Sequence, residues 1–289
     1  MSEFQNVDVL EVLKGFDLPK YCIRDRLLAG CIGWRYDYLS NISIQGFSEG
    51  KAHGYVILLK FLSKTFDIHR LPSHEDRIVH EYMNSLEKKK GNLIDEIING
   101  LSEANKEAIC HELRAIYENT QNILSNAHLK YVFLQRNIHS KYMDKVLILK
   151  AAAEILGKEE IPVDMDVLNS FTDYFGSSAY GNVSFRFNIP AEDILCSHLF
   201  ISSKYDSMAM EGEEWIVMNR SATGIVDVKI SDIYINKSEA EENKEDEIKI
   251  EIAFNKVKSN MSIDFATEIL SCDPCEVWRH PYKYLNSYL

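Results

Sequence analysis

Three groups of side chains after about residue 129 are of types that can do chemistry. The first is Arg136, within the β-prone run YVFLQRN. The second is Ser170-Phe171-Thr172, and the third is Glu211-Gly212-Glu213-Glu214, which runs directly into the apolar stretch Trp215-Ile216-Val217-Met218. A guanidinium presents a planar fork of donors that suits a phosphate or a carboxylate. Two hydroxyls one residue apart can both donate and accept hydrogen bonds. A carboxylate can take a proton or steady a developing positive charge. If the glutamates open a strand, alternation lets only one of Glu213 and Glu214 face a given side.

Other familiar chemistry is missing from the sequence. There is no G-x-x-x-x-G-K-[ST] phosphate loop and no G-x-G-x-x-G turn. His74-Glu75 is followed by His80, six positions after the first histidine instead of four, so a helix would turn the two imidazoles to different sides. Cys272-Asp273-Pro274-Cys275 is a C-x-x-C pair without a second pair. GSSAYG, residues 176–181, resembles a nucleophile elbow but carries Tyr180 where the second glycine belongs. No metal is expected.

The elements that must position these residues fall into two regions. Residues 1–125 read as helical. Ser102 caps a helix whose apolar positions Ile109, Leu113, Ile116, Tyr117 and Ile123 keep helical spacing. Residues 55–66 and 92–101 look like further helical segments, and Lys88-Lys89-Lys90-Gly91 looks like a helix end. From about residue 129 the character changes. A strand through Leu129–Asn137 is followed by a helix with Val146, Leu149, Ala153 and Leu156 on one face and Gly157 as its C-cap. Strand-like runs follow: VLNSFT, NVSFRFNIP, EEWIVMN, GIVDVKISDIYI and the alternating EIKIEIAFN. The acidic residues 239–247 before the last run are expected to form a solvated loop. The fold class is therefore α+β, a helical N-terminal part followed by a β-rich part.

A formal charge of −12 argues against non-specific binding to duplex nucleic acid, which depends on Lys and Arg neutralising phosphates. It leaves room for a local groove of Lys130, Arg136, Lys141 and Lys145 that could guide a single strand. The six cysteines (Cys22, Cys31, Cys110, Cys196, Cys272, Cys275) are scattered and suit reduced thiols. The first residues are acidic and mixed, unlike a secretory signal, and no apolar run is long enough for a membrane span. A cytoplasmic location without a membrane partner is expected.

The order and strand context of Arg136, Ser170-Phe171-Thr172 and the glutamates resemble the R-S-E clade of ADP-ribosyltransferases. There, a strand arginine, a Ser-Thr-Ser-like strand and a glutamate just before an apolar strand build the NAD site. The middle piece continues in the family's manner: a short loop of aromatic and small residues, a strand, then I-P-x-x-x-I-L from Ile189 to Leu195. The likeness runs from Leu129 to Met218 and leaves residues 1–125 and the C-terminal tail without a counterpart. It implies a split β-sandwich catalytic domain over residues 126–289.

By resemblance, NAD is the substrate that donates ADP-ribose. Its nicotinamide leaves as a neutral molecule and needs no general acid, while charge builds on the ribose much as in glycoside hydrolysis. Glu214, directly before the apolar strand, would be the catalytic carboxylate. Arg136 would grip the pyrophosphate. Ser170 and Thr172 would support the glutamate and the ribose, and Tyr174, Phe175 or Tyr180 would stack on nicotinamide. The pattern departs from the family in one respect. Two places before Glu214 stands Gly212, where arginine-modifying members carry a second glutamate; shifting by one residue makes Glu211-Gly212-Glu213 an intact E-x-E with Glu213 catalytic. That departure puts arginine in doubt as the acceptor and leaves another protein side chain, RNA or DNA. The expected function is mono-ADP-ribosyl transfer to such a macromolecule by an intracellular toxin of a toxin–antitoxin or anti-phage system, with an antitoxin or immunity protein as partner. The alternative is an α+β binding protein that has lost the chemistry.

Overall fold

A computed structural model describes residues 8–32, 58, 61–62, 64–66, 99–138, 140–165, 168–175, 183–205, 213–220, 225–235 and 241–271. Its elements in chain order are α1 (Val9–Leu13), β1 (Tyr21–Ile23), α2 (Arg26–Ile32), α3 (Glu103–Asn126), β2 (Tyr131–Ile138), α4 (Ser140–Ile155), β3 (Glu160–Asp164) and β4 (Leu168–Thr172). There follow β5 (Val183–Pro190), β6 (Ile194–Ser197), β7 (Ile201–Ser203), β8 (Glu214–Met218), β9 (Ile225–Lys229), β10 (Ile233–Ile235), α5 (Glu241–Asn260) and α6 (Ile263–Ser271). The protein is α+β, helical in its N-terminal part and sheet-rich afterwards. The chain forms two compact units. The first comprises residues 1–132, 166–173 and 189–224, and the second residues 133–165, 174–188 and 225–289.

In the first unit, α3 is the long organising helix. Ser102 caps it by accepting the Asn105 N–H at 3.2 Å. Ile109, Leu113, Ile116, Ile123 and Leu124 form its buried face, and that face packs on β6. Three polar side chains on α3 do specific work. Glu112 is buried because its carboxylate accepts the backbone N–H groups of Arg24 and Asp25, just ahead of α2. Gln121 donates to the carbonyls of Ala191 and Ile194 at 2.8 and 3.0 Å, and the Tyr117 hydroxyl donates to the Glu192 carbonyl at 3.0 Å. These bonds fasten the 3₁₀ turn Ala191–Asp193 that leads into β6. Arg220, just after β8, ties to the same turn through Asp193 at 2.8 Å. The helix ends with His128 at φ 56°, where the Leu129 N–H reaches the Leu124 carbonyl at 2.9 Å. Strands β4 and β6 both pair antiparallel with β8, and β1 pairs in parallel with β7. Leu58, Phe61 and Leu62, in the segment expected to be helical, are helical and buried.

The second unit packs α4, α5 and α6 against strands. Its core contains Ile138 of β2, Val146, Leu149 and Ala153 of α4, Val183 and Phe185 of β5, Ile233 of β10, Val257 of α5, Met261 in the link that follows, and Ala266 and Ile269 of α6. β3 pairs antiparallel with β9, and β5 with β10. Gly157 closes α4 at φ 65°, with Lys158 N–H on the Ala153 carbonyl and Gly157 N–H on the Glu154 carbonyl, the C-cap that the sequence leads one to expect.

One expectation is overturned. The alternating run EIKIEIAFN is not a strand, and the acidic residues before it are not all loop: from Glu241 they belong to α5. The isoleucines alternate, but the surrounding Glu and Lys favour a helix. The residues that matter for packing are Phe254, Val257 and Met261, spaced three and four apart, whereas Ile252 is 61% exposed. His74, His80, the Lys88–Gly91 run, the 176–181 segment and Cys272-Cys275 lie outside the described residues.

Candidate functional site

Within the first unit, β4 and β8 set Thr172 opposite Glu214, Phe171 opposite Trp215 and Ser170 opposite Ile216. Opposed residues of an antiparallel pair share a face. Ser170, Thr172 and Glu214 therefore lie on one side of the two strands, with Phe171 and Trp215 on the other. On the first side the Ser170 hydroxyl donates to Oε1 of Glu214 at 2.5 Å. Glu213 is exposed in the turn before β8 and does not share this arrangement. Of the two tandem glutamates, Glu214 is the one that the register brings to Ser170.

The backbone of Glu214 is tied as well. The His198 N–H donates to the Glu214 carbonyl at 3.0 Å, and His198 Nδ1 lies 3.3 Å from the same oxygen. On β6, Cys196 opposes Ile216 and is buried. Burial first, and then the Glu214 carboxylate, push its thiol well above the ordinary range, so it stays protonated. On the opposite side of the strands Trp215 is fully buried and meets Phe200 edge-to-face at 5.5 Å. Its indole N–H donates to Oδ2 of Asp173 at 2.8 Å. Asp173 is 4% exposed. Burial raises its carboxyl above the ordinary value, against the lowering effects of the Trp215 bond and the nearby His198. Asp173 and His198 were not named from the sequence; Trp215 entered only as the start of an apolar strand and Cys196 only as one of six scattered cysteines. The hint was position: Asp173 follows Thr172 and Trp215 follows Glu214.

Of the other residues named from the sequence, Arg136, Tyr174, Phe175 and Lys145 belong to the second unit and Lys130 to the first. Arg136 is half-buried on β2 and, by alternation, shares its strand face with Leu134 and Ile138. On the opposite strand face, Gln135 accepts the Arg186 Nε–H at 3.0 Å and donates to Asn137 at 2.9 Å. Phe175 stacks on Phe133 at 5.1 Å, with the Arg186 guanidinium 5.4 Å from its ring centre. Tyr174 is exposed. Tyr180 lies outside the described residues. In the basic group, Lys130 is exposed and Lys145 is buried.

Chemically, the Ser170–Glu214 pair offers an oriented carboxylate with one oxygen fixed by a hydroxyl. It can hold a sugar hydroxyl, stabilise a cationic transition state or accept a proton. Among the described residues, no group of three or more His, Cys, Asp and Glu side chains is placed to hold a metal, and no helix is long and apolar enough to cross a membrane. The chain matches no protein-family model, no curated protein and no solved structure.

Proposed function

We propose that the protein is a cytoplasmic mono-ADP-ribosyltransferase that moves ADP-ribose from NAD to a macromolecular acceptor. The observation that carries this reading is the bond from Ser170 to Glu214, two residues that the resemblance had assigned to one site from 44 positions apart.

In this reading the Glu214 carboxylate faces the ribose of NAD. It accepts the 2′-hydroxyl and stabilises positive charge at the anomeric carbon as the bond to nicotinamide lengthens. The leaving nicotinamide takes the bonding electrons, which neutralise its pyridinium, so no acid is needed. Ser170 holds the carboxylate at a single orientation, which spares reorganisation at the moment of reaction. Thr172, on the same strand face, adds a hydroxyl beside the sugar. Arg136 keeps the pyrophosphate role implied by the resemblance, and Tyr174, Phe175 and Tyr180 the stacking role. The acceptor nucleophile, on a protein, RNA or DNA, attacks the opposite face of the sugar and gives up its proton to a neighbouring carboxylate or to solvent. Such an activity inside its own cell calls for a partner that restrains it, which fits a toxin held by an antitoxin or immunity protein.

The test is purified protein with NAD labelled in its adenylate portion, incubated with cell lysate. Transfer of label to protein or nucleic acid, with nicotinamide release, is the expected result. No transfer and no nicotinamide, together with no heat on titration with NAD, would leave an α+β binding protein in its place.

A further inference from the structure

Strand β8 has an unusual weakness. Trp215, Ile216, Val217 and Met218 are all buried, so both of its faces are apolar. Register is normally fixed because a one-residue slip would turn apolar side chains into water. Here a slip exchanges one apolar set for another. β4 differs: buried Asn169 and Phe171 share one face, and half-buried Ser170 and Thr172 the other. Hydrophobic burial of β8 itself therefore discriminates poorly between the observed pairing and one shifted by a single residue.

The tandem glutamates add to the ambiguity. In a slipped pairing Glu213 would stand opposite Thr172, on the face where Glu214 now lies, and could accept the Ser170 hydroxyl in its place. The Ser170–Glu214 bond cannot by itself specify the register, because either carboxylate satisfies it. Trp215 has no such double: its neighbours Glu214 and Ile216 carry no indole. Its N–H is bonded to Asp173, which is nine-tenths buried and whose second oxygen, Oδ1, has no hydrogen-bond partner among the described residues. A carboxyl kept in such a place is costly, and its retention calls for a reason other than stability.

We infer that Asp173 is a positioning residue that fixes the register of β8 on β4 through the Trp215 indole, and so selects Glu214 over Glu213 as the carboxylate held by Ser170. The two cross-strand bonds work on opposite sides of the strands: one orients the acid, and the other decides which acid is there. The register claim stands on the geometry alone. Its consequence for catalysis rests on the function proposed above.

Disulfide trapping in the full-length chain tests the register without requiring activity. Thr172→Cys is combined with Glu214→Cys in one protein and with Glu213→Cys in another. Each is oxidised mildly and mapped by peptide mass, since directly opposed residues fall within disulfide reach. With Asp173 present, the 172–214 pair should close and the 172–213 pair should stay open. With Asp173→Leu, closure of the 172–213 pair should appear and that of the 172–214 pair should fall. Trp215→Phe removes the donor and keeps an aromatic ring; it should act the same way and serves if the leucine variant does not fold. Closure of the 172–214 pair alone in both backgrounds overturns the inference, as does closure of both pairs while Asp173 is present. Nicotinamide release is read separately. In an active enzyme, Asp173→Leu should make release sensitive to Glu213→Gln, which leaves the parent unaffected. Absence of release from the parent sinks the proposed function and leaves the trapping result standing.

Discussion

Oγ of Ser170 and Oε1 of Glu214 lie 2.5 Å apart across the β4–β8 pair, whereas Glu213, one residue earlier, is exposed in a turn. One glutamate is thus oriented and the other is not. Under the proposed function, Glu214→Gln should lower NAD cleavage by at least about 10²-fold, the scale for removing one preorganised electrostatic group. Glu213→Gln should leave it near wild type. Nicotinamide release under saturating NAD measures both, and a thermal melt of each variant should stay close to the parent.

Glu112 stands on the buried face of α3 and accepts two backbone N–H groups ahead of α2. Replacing it with leucine leaves both donors buried without a partner. Glu112→Leu should destabilise the first unit by on the order of 2–4 kcal/mol, seen as a lower denaturant midpoint. A surface carboxylate such as Glu103 replaced in the same way should change the midpoint little.

Asp173 gives the acid limb of the stability profile an unusual sign. Burial first, opposed by Trp215 and His198, raises its folded-state carboxyl above its ordinary value of 3.8. The folded chain therefore binds this proton more tightly than the unfolded chain does. Its contribution favours folding at low pH and is lost as pH rises from that value through the raised one. Asp173→Asn keeps an oxygen for Trp215 and cannot ionise. Its stability relative to wild type should rise with pH over that window and become level above it, as denaturant midpoints measured across the window would show.

His128 occupies a left-handed conformation at the end of α3, at φ 56°. A side chain there is strained, and glycine is not. His128→Gly should stabilise the protein by on the order of 1 kcal/mol, and Gly157→Ala, at φ 65° after α4, should destabilise it by a similar amount. Opposite shifts in melting temperature are the expected readout.

The helical assignment of α5 can be checked at two positions. Val257 is buried in the second unit's core, and Ile252 is 61% exposed. Val257→Ala should cost on the order of 1–3 kcal/mol, whereas Ile252→Glu should be nearly neutral. A strand reading of EIKIEIAFN would make Ile252 a core residue along with Ile248 and Ile250. A large loss from Ile252→Glu would therefore restore that reading.

Much of the fold is written in local pattern. Ser102 and the apolar spacing after it define α3, Gly157 marks the end of α4, and runs rich in β-formers locate β2, β4, β5 and β8. α5 was hidden because its isoleucines alternate by chance within a Glu- and Lys-rich stretch, so period and propensity disagreed. The site was legible in its residue types but not in its pairing. Alternation could say that only one of Glu213 and Glu214 faces a given side, while the choice of Glu214 depends on a register set by β4. Asp173, Cys196 and His198 were silent for the same reason. Each acts on Glu214 or Trp215 from another strand or strand end, and nothing in their local sequence marks that contact.

The chain changes unit five times, at 132/133, 165/166, 173/174, 188/189 and 224/225. During synthesis neither unit can close early: the first waits for β8, and the second for α5 and α6. An N-terminal portion that folds before the rest has left the ribosome therefore cannot be the complete first unit. Until residue 214 has emerged, Ser170 has no Glu214 to hold, and the carboxylate site stays unassembled.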